Sequence, residues 1–112
     1  MKTEKKHNET AKVEVNKLTD FIEVQTSAIV SKQILKKDNG NITLFAFGKD
    51  EELTKHSSPY EAFVQILDGE MKIEIGSENF ILKTDDSIMM PANVPHGLKA
   101  LANTKMLLTM IK

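Results

Sequence analysis

Two histidines, His56 and His96, are the residues of this chain best suited to do chemistry. A third, His7, lies in a polar N-terminal stretch and is assigned no role. An imidazole donates and accepts hydrogen bonds, and its charge changes near neutral pH, so a pair of them can orient a ligand or pass a proton. Each of the two sits where a strand-like run meets a proline-containing loop: His56 shortly before Pro59, and His96 directly after Pro95, with Pro91 upstream. Proline fixes φ, which stiffens the backbone on either side. A stiff backbone beside a polar side chain is a common way of pre-organising a site. The plain alternative is two unrelated loop histidines. No Ser-His-Asp order, phosphate-binding loop or supported pair of carboxylates accompanies them.

The elements that must hold these residues read as β throughout. From Ala28 onward, runs of β-branched and apolar residues alternate with turn signals. Strands are expected at Ile29 to Leu35, Ile42 to Phe47, Ala62 to Leu67, Glu70 to Ile75, Asn79 to Lys83, Ser87 to Met90, Gly97 to Leu101 and Lys105 to Ile111. Asn39-Gly40, Asp68-Gly69 and Gly76-Ser77 are the expected tight turns, Asp68-Gly69 being read as a two-residue hairpin. Gly48 to Lys55 reads as a charged loop leading to His56. About eight short strands at regular spacing make an all-β sandwich or barrel. Upstream, Val13 and Val15 could form a short edge strand, and Asn16 could cap a short helix carrying Leu18, Phe21 and Ile22.

Composition bounds the rest. With 112 residues the chain makes one domain, with residues 1–11 expected as a flexible tail and 12–112 as the folded unit. A net charge of -1 with both signs spread along the chain lacks the basic footprint of a nucleic-acid binder. The absence of cysteine removes disulfides, thiolate nucleophiles and Cys-type zinc sites. No apolar run approaches the roughly 20 residues of a membrane helix, and the mixed-charge N-terminus lacks the form of a secretory signal. A cytoplasmic protein is the expectation.

The spacing around the two histidines resembles the two motifs of the cupin family. With His56 at the first position of the first motif, Gly69 falls on its final glycine without a gap. The second motif falls on Asp85-Asp86, Ser87 to Met90, Pro91, Asn93 and His96. The resemblance spans roughly Ile29 to Ile111 and implies a double-stranded β-helix, the small jelly-roll barrel, usually dimeric. It also implies a metal site in those members that keep two histidines and a glutamate in the first motif and a histidine in the second. Here Ser58 stands at the second histidine and Ala62 at the glutamate. Glu61 is adjacent, but one step along a strand turns a side chain to the other face. Asp85 and Asn93 stand where glycine is frequent, and both types tolerate the left-handed region.

Two alternatives therefore stand for the site. In one, His56 and His96 hold a divalent metal such as nickel, zinc, manganese, iron or copper, and the protein is an oxygenase, isomerase or lyase acting on a small metabolite. In the other, no metal is tightly bound and the imidazoles serve a small-molecule pocket directly. The expected pocket residues are His56, Ser58, Ala62 and His96, with walls from Met89 and Met90 and from Met106 or Met110. Met fills irregular gaps as readily as it lines adaptable surfaces, so core filling competes with that role. Strands 42–47 and 105–111 are apolar on both faces, which points to a homodimer, since the short helix alone would cover only one patch.

Overall fold

In a computed structural model describing residues 13–112, the β pattern resolves into nine strands. They are β1 (Ile29–Lys37), β2 (Gly40–Phe47), β3 (Glu52–His56), β4 (Glu61–Asp68), β5 (Glu70–Ile75), β6 (Glu78–Lys83), β7 (Ser87–Met90), β8 (His96–Ala100) and β9 (Thr104–Ile111). Two antiparallel sheets face each other: one ordered β1-β2-β9-β4-β7, the other β3-β8-β5-β6. The core lies between them, built from inward residues such as Phe47, Val64, Ile66, Met71, Ile73, Leu98 and Met106. This is the jelly-roll arrangement expected from the sequence. The expected flexible tail, residues 1–11, lies outside the described residues.

Four local expectations change. The charged segment before His56 is a strand, β3, and the described residues form nine strands where about eight were expected. Only Leu53 of β3 packs against the core, while Glu52, Thr54 and Lys55 face water, so no alternation marks it in the sequence. Asp68-Gly69 is a corner and not a hairpin, because β4 and β5 lie in different sheets. Gly69 has φ 123°, and a Cβ there would meet the Thr104 hydroxyl at 2.5 Å and the Asn103 carbonyl at 2.6 Å. The same hydroxyl accepts from the Glu70 N–H at 3.1 Å, which fastens β5 to the start of β9. The N-terminal helix is a single 3-10 turn, Leu18–Asp20, preceded by Lys17 with no side-chain cap, so Asn16 caps nothing. Val13 and Val15 are exposed and pair with no strand among the described residues.

The glycine-like turn positions behave as their residue types suggest. Asp85 and Asn93 have φ of 75° and 66°. On the outer face of the five-stranded sheet, the segment around the 3-10 turn lays Leu18, Phe21, Ile22 and Val24 over Leu44, Ala46 and Leu107. Lys105 Nζ donates to the Thr19 carbonyl at 2.6 Å and pins that segment. This stretch of the chain's own backbone thus covers one half of the second apolar face. The other half is a row in direct register across all five strands: Leu35, Ile42, Thr109, Phe63 and Met89.

Candidate functional site

His96 opens β8, between β3 and β5, and is paired in register with His56 on one side and Ile75 on the other. Its side chain shares the inward face of Leu98 and Ala100, and only 5% of the residue is exposed. His56 reaches the same face through an irregularity in β3. Leu53 pairs with Leu98 and His56 with His96, so three steps on β3 match two on β8. In a regular strand Leu53 and His56 would point to opposite faces. The bulge supplies the extra residue and turns His56 back toward its partner. The two ring centroids are 4.8 Å apart with planes inclined at 60°.

Both rings are fixed in the same way. His56 Nδ1 lies 2.9 Å from the Thr54 carbonyl, and His96 Nδ1 lies 3.3 Å from the Val94 carbonyl. A carbonyl can only accept, so Nδ1 is the donor in each ring, and in a neutral ring Nε2 then keeps a lone pair. Burial pushes the His96 pKa below its usual value; the Val94 carbonyl opposes this and the nearby His56 adds to it. The loops on either side are tied together, with the Asn93 N–H donating to the Ser58 carbonyl at 2.7 Å and the Gly76 N–H to the Pro95 carbonyl at 2.8 Å.

The other expected residues divide. The four-residue loop 57–60 brings the start of β4 to the His56 end of the molecule, and loop 91–95 does the same for the end of β7. Ala62, 2% exposed, therefore lies on the inner face at the histidine end, in a row with Asn41, Met110 and Met90. Ser58 does not share a strand face with His56, because it lies in the loop between sheets. Its hydroxyl accepts from the Tyr60 N–H at 3.1 Å and shapes that turn. Met89 is not a wall residue: Met90 pairs with inward Ala62, so Met89 points outward and is 55% exposed. Met106 is inward but pairs with Ile66, four residues along β4 from Ala62, about 13 Å into the core. The methionines at the histidine end are Met90 and Met110. Sequence reasoning missed Asn41 and Thr43, whose inward polar positions alternate with outward Ile42 and Leu44.

A resident metal fits these residues poorly. Two imidazoles fall short of the three protein ligands of a catalytic zinc site. Ser58 is engaged in its turn, Ala62 is a methyl group, and Glu61 is exposed opposite outward Ile111. Among the described residues no group of three or more His, Cys, Asp or Glu side chains is placed to hold a metal ion.

Comparison with known proteins places the fold in a family. The profile of the cupin domain matches residues 43–112, more than half of the chain. The chain belongs to the cupin family. Among solved cupin-like structures, it is similar to a conserved protein of unknown function from Streptococcus pyogenes, at 33% identity and TM-score 0.87, covering 90% of this chain and 89% of that one. It is also similar to a cupin 2 conserved barrel domain protein from Leptotrichia buccalis, at 39% identity and TM-score 0.81, covering 84% of this chain and 46% of that one. A curated relative, polyketide synthase CurC of Streptomyces cyaneus, is 32% identical over 50 residues, 44% of this chain. This cupin spans about a third, 32%, of that relative's length. No helix among its described residues is long and apolar enough to cross a membrane.

Proposed function

We propose that this cupin is a small-molecule-binding protein whose pocket lies at the histidine end of the sandwich and works without a resident metal. The observation that carries this reading is the His56–His96 pair, brought ring to ring by a strand bulge and held by two backbone carbonyls. A bulge that re-aims one side chain toward another is a feature of sites more than of cores. Inner-face positions at this end supply apolar contact from Ala62, Met90 and Met110 and polar contact from Asn41 and Thr43. This mixture of apolar wall and a few fixed polar groups is that of a small-molecule site. The metal-dependent enzyme reading has no comparable support, because the third and fourth ligands are missing.

The test is elemental analysis and denaturing mass spectrometry of protein purified without a histidine tag. The expected result is a substoichiometric metal content and a co-purifying small molecule that is lost in the His56→Phe variant. A stoichiometric metal that depends on both histidines would overturn the reading.

The assembly proposed for this binding protein is a homodimer through the outer row of the five-stranded sheet. Beside the apolar row runs a second one, Lys37, Gly40, Ile111 and Glu61, with a cation at one end and an anion at the other. A two-fold axis reverses the row, so that each Lys37 meets the second copy's Glu61 and the apolar rows cover each other.

A further inference from the structure

The chemistry of the two Nε2 atoms selects among ligands. Each Nδ1 is bound to a carbonyl, so each Nε2 of the neutral rings is a hydrogen-bond acceptor. Among the described residues no protein group donates to either Nε2. His96 is almost fully buried, and a buried acceptor without a donor is costly. Its burial also keeps the ring neutral near pH 7. The site therefore presents two ring acceptors, one of them on a buried residue, from rings whose centroids are 4.8 Å apart.

Ligand classes meet this arrangement differently. A carboxylate or phosphate brings further acceptors and meets two lone pairs. An ammonium brings hydrogens but also a charge; Glu52 and Glu61, the acids flanking His56 in sequence, are both exposed, and no acidic cluster joins the histidines among the described residues. A neutral group with one hydroxyl satisfies only one ring. We infer that the His56–His96 pair binds a neutral vicinal diol, one hydroxyl donating to each Nε2. The inference rests on the pocket reading above and names its ligand class. The carbon body of the diol lies toward Ala62, Met90 and Met110 on the facing sheet, which favours an apolar ring or short chain over a polyol hydroxylated on every side.

The test is a titration followed by calorimetry and by histidine 15N chemical shifts, using catechol and cis-1,2-cyclohexanediol as aromatic and aliphatic diols under reducing conditions. Phenol and cyclohexanol carry one hydroxyl, 1,2-dimethoxybenzene carries no donor, and benzoate is an anion of similar size. At least one diol should bind roughly tenfold or more tightly than its mono-ol, from one additional hydrogen bond, and should shift Nε2 of both histidines. The better arm identifies the aromatic or aliphatic source. In His56→Phe, which leaves the buried ring in place, that diol should fall to the affinity of the mono-ol. Benzoate or phenol binding as tightly as catechol, with cyclohexanediol no tighter than cyclohexanol, would overturn the diol assignment and leave the pocket reading standing. No shift from any of the six compounds would also overturn it, while the pocket reading is decided separately by the co-purification experiment.

Discussion

Replacing Ala62 by glutamate asks whether β4 and the histidines converge on one space. Ala62 is 2% exposed and faces Met90 and Met110 across its neighbouring strands. A carboxyl group introduced there leaves water without a partner, and its pKa rises. A rise of about three units, within the range for buried carboxyls, costs about 3.5 kcal/mol at pH 7 and approaches about 4 kcal/mol above the folded pKa. The folded-state pKa then stands above the unfolded value of about 4.3. The cost is therefore absent below that pH and grows as pH rises through the folded pKa. Against a typical total of about 5–15 kcal/mol, the variant stays folded or sits near its limit. Together with His56 and His96 the new carboxylate completes a three-ligand set. Nickel or zinc at a hundredfold excess over its Kd should then restore about 2.7 kcal/mol. The assay is urea denaturation of the parent, Ala62→Glu and Ala62→Gln at several pH values, with and without metal. Ala62→Gln has the size of the new side chain but neither its charge nor its metal affinity. The reasoning is refuted if Ala62→Glu matches the parent at pH 7, or if metal stabilises it no more than it does Ala62→Gln.

Three further outcomes are expected. His96 has its pKa lowered on folding, so below the unfolded value of about 6.5 the unfolded chain binds more protons; parent stability should fall as pH drops from 6.5 through the folded pKa, and a His96→Leu variant, measured by the same denaturation, should lose that part of the slope. Gly69→Ala should cost about 2–4 kcal/mol, from backbone strain at φ 123° and displacement of the Thr104 hydroxyl, and a change below 0.5 kcal/mol in chemical denaturation would contradict the tight corner. Light scattering over a dilution series should give a dimer for the parent and a folded monomer for Phe63→Lys with Met89→Lys; a monomer for the parent at every concentration would remove the dimer proposal.

Much of this architecture was legible in the sequence, and the parts that were not have identifiable causes. Asp85 and Asn93 announced their left-handed turns because the residue types themselves carry that tolerance. The pairing of His56 with His96 was suggested by motif spacing, yet the bulge that achieves it leaves no mark in Glu-Leu-Thr-Lys-His. β3 was hidden because an edge strand with one inward apolar residue looks like a charged loop. Asp68-Gly69 was misread because the local chemistry of a hairpin and of a corner between sheets is the same. Which one forms depends on β5 pairing with β6, the next strand, and with the more distant β8, and not with β4. Met89 was placed inside because two adjacent methionines on a four-residue strand give no parity. Register with Ala62 alone decides that Met90 faces in. Met106 has the right face and the wrong depth, a distinction set by its pairing with Ile66. Ser58 was grouped with His56 by motif spacing, but the strand ends at His56 and Ser58 lies in the loop beyond it.

The central claim is that His56 and His96 form one site with both Nε2 atoms free to accept. Long-range 1H–15N correlation spectra of the two imidazoles at pH 7.5, with cross-ring nuclear Overhauser effects, test it most directly. The expected spectrum shows Nδ1 protonated and Nε2 unprotonated in both rings, with contacts between them. A protonated Nε2 on either ring, or two rings without mutual contacts, would contradict the account.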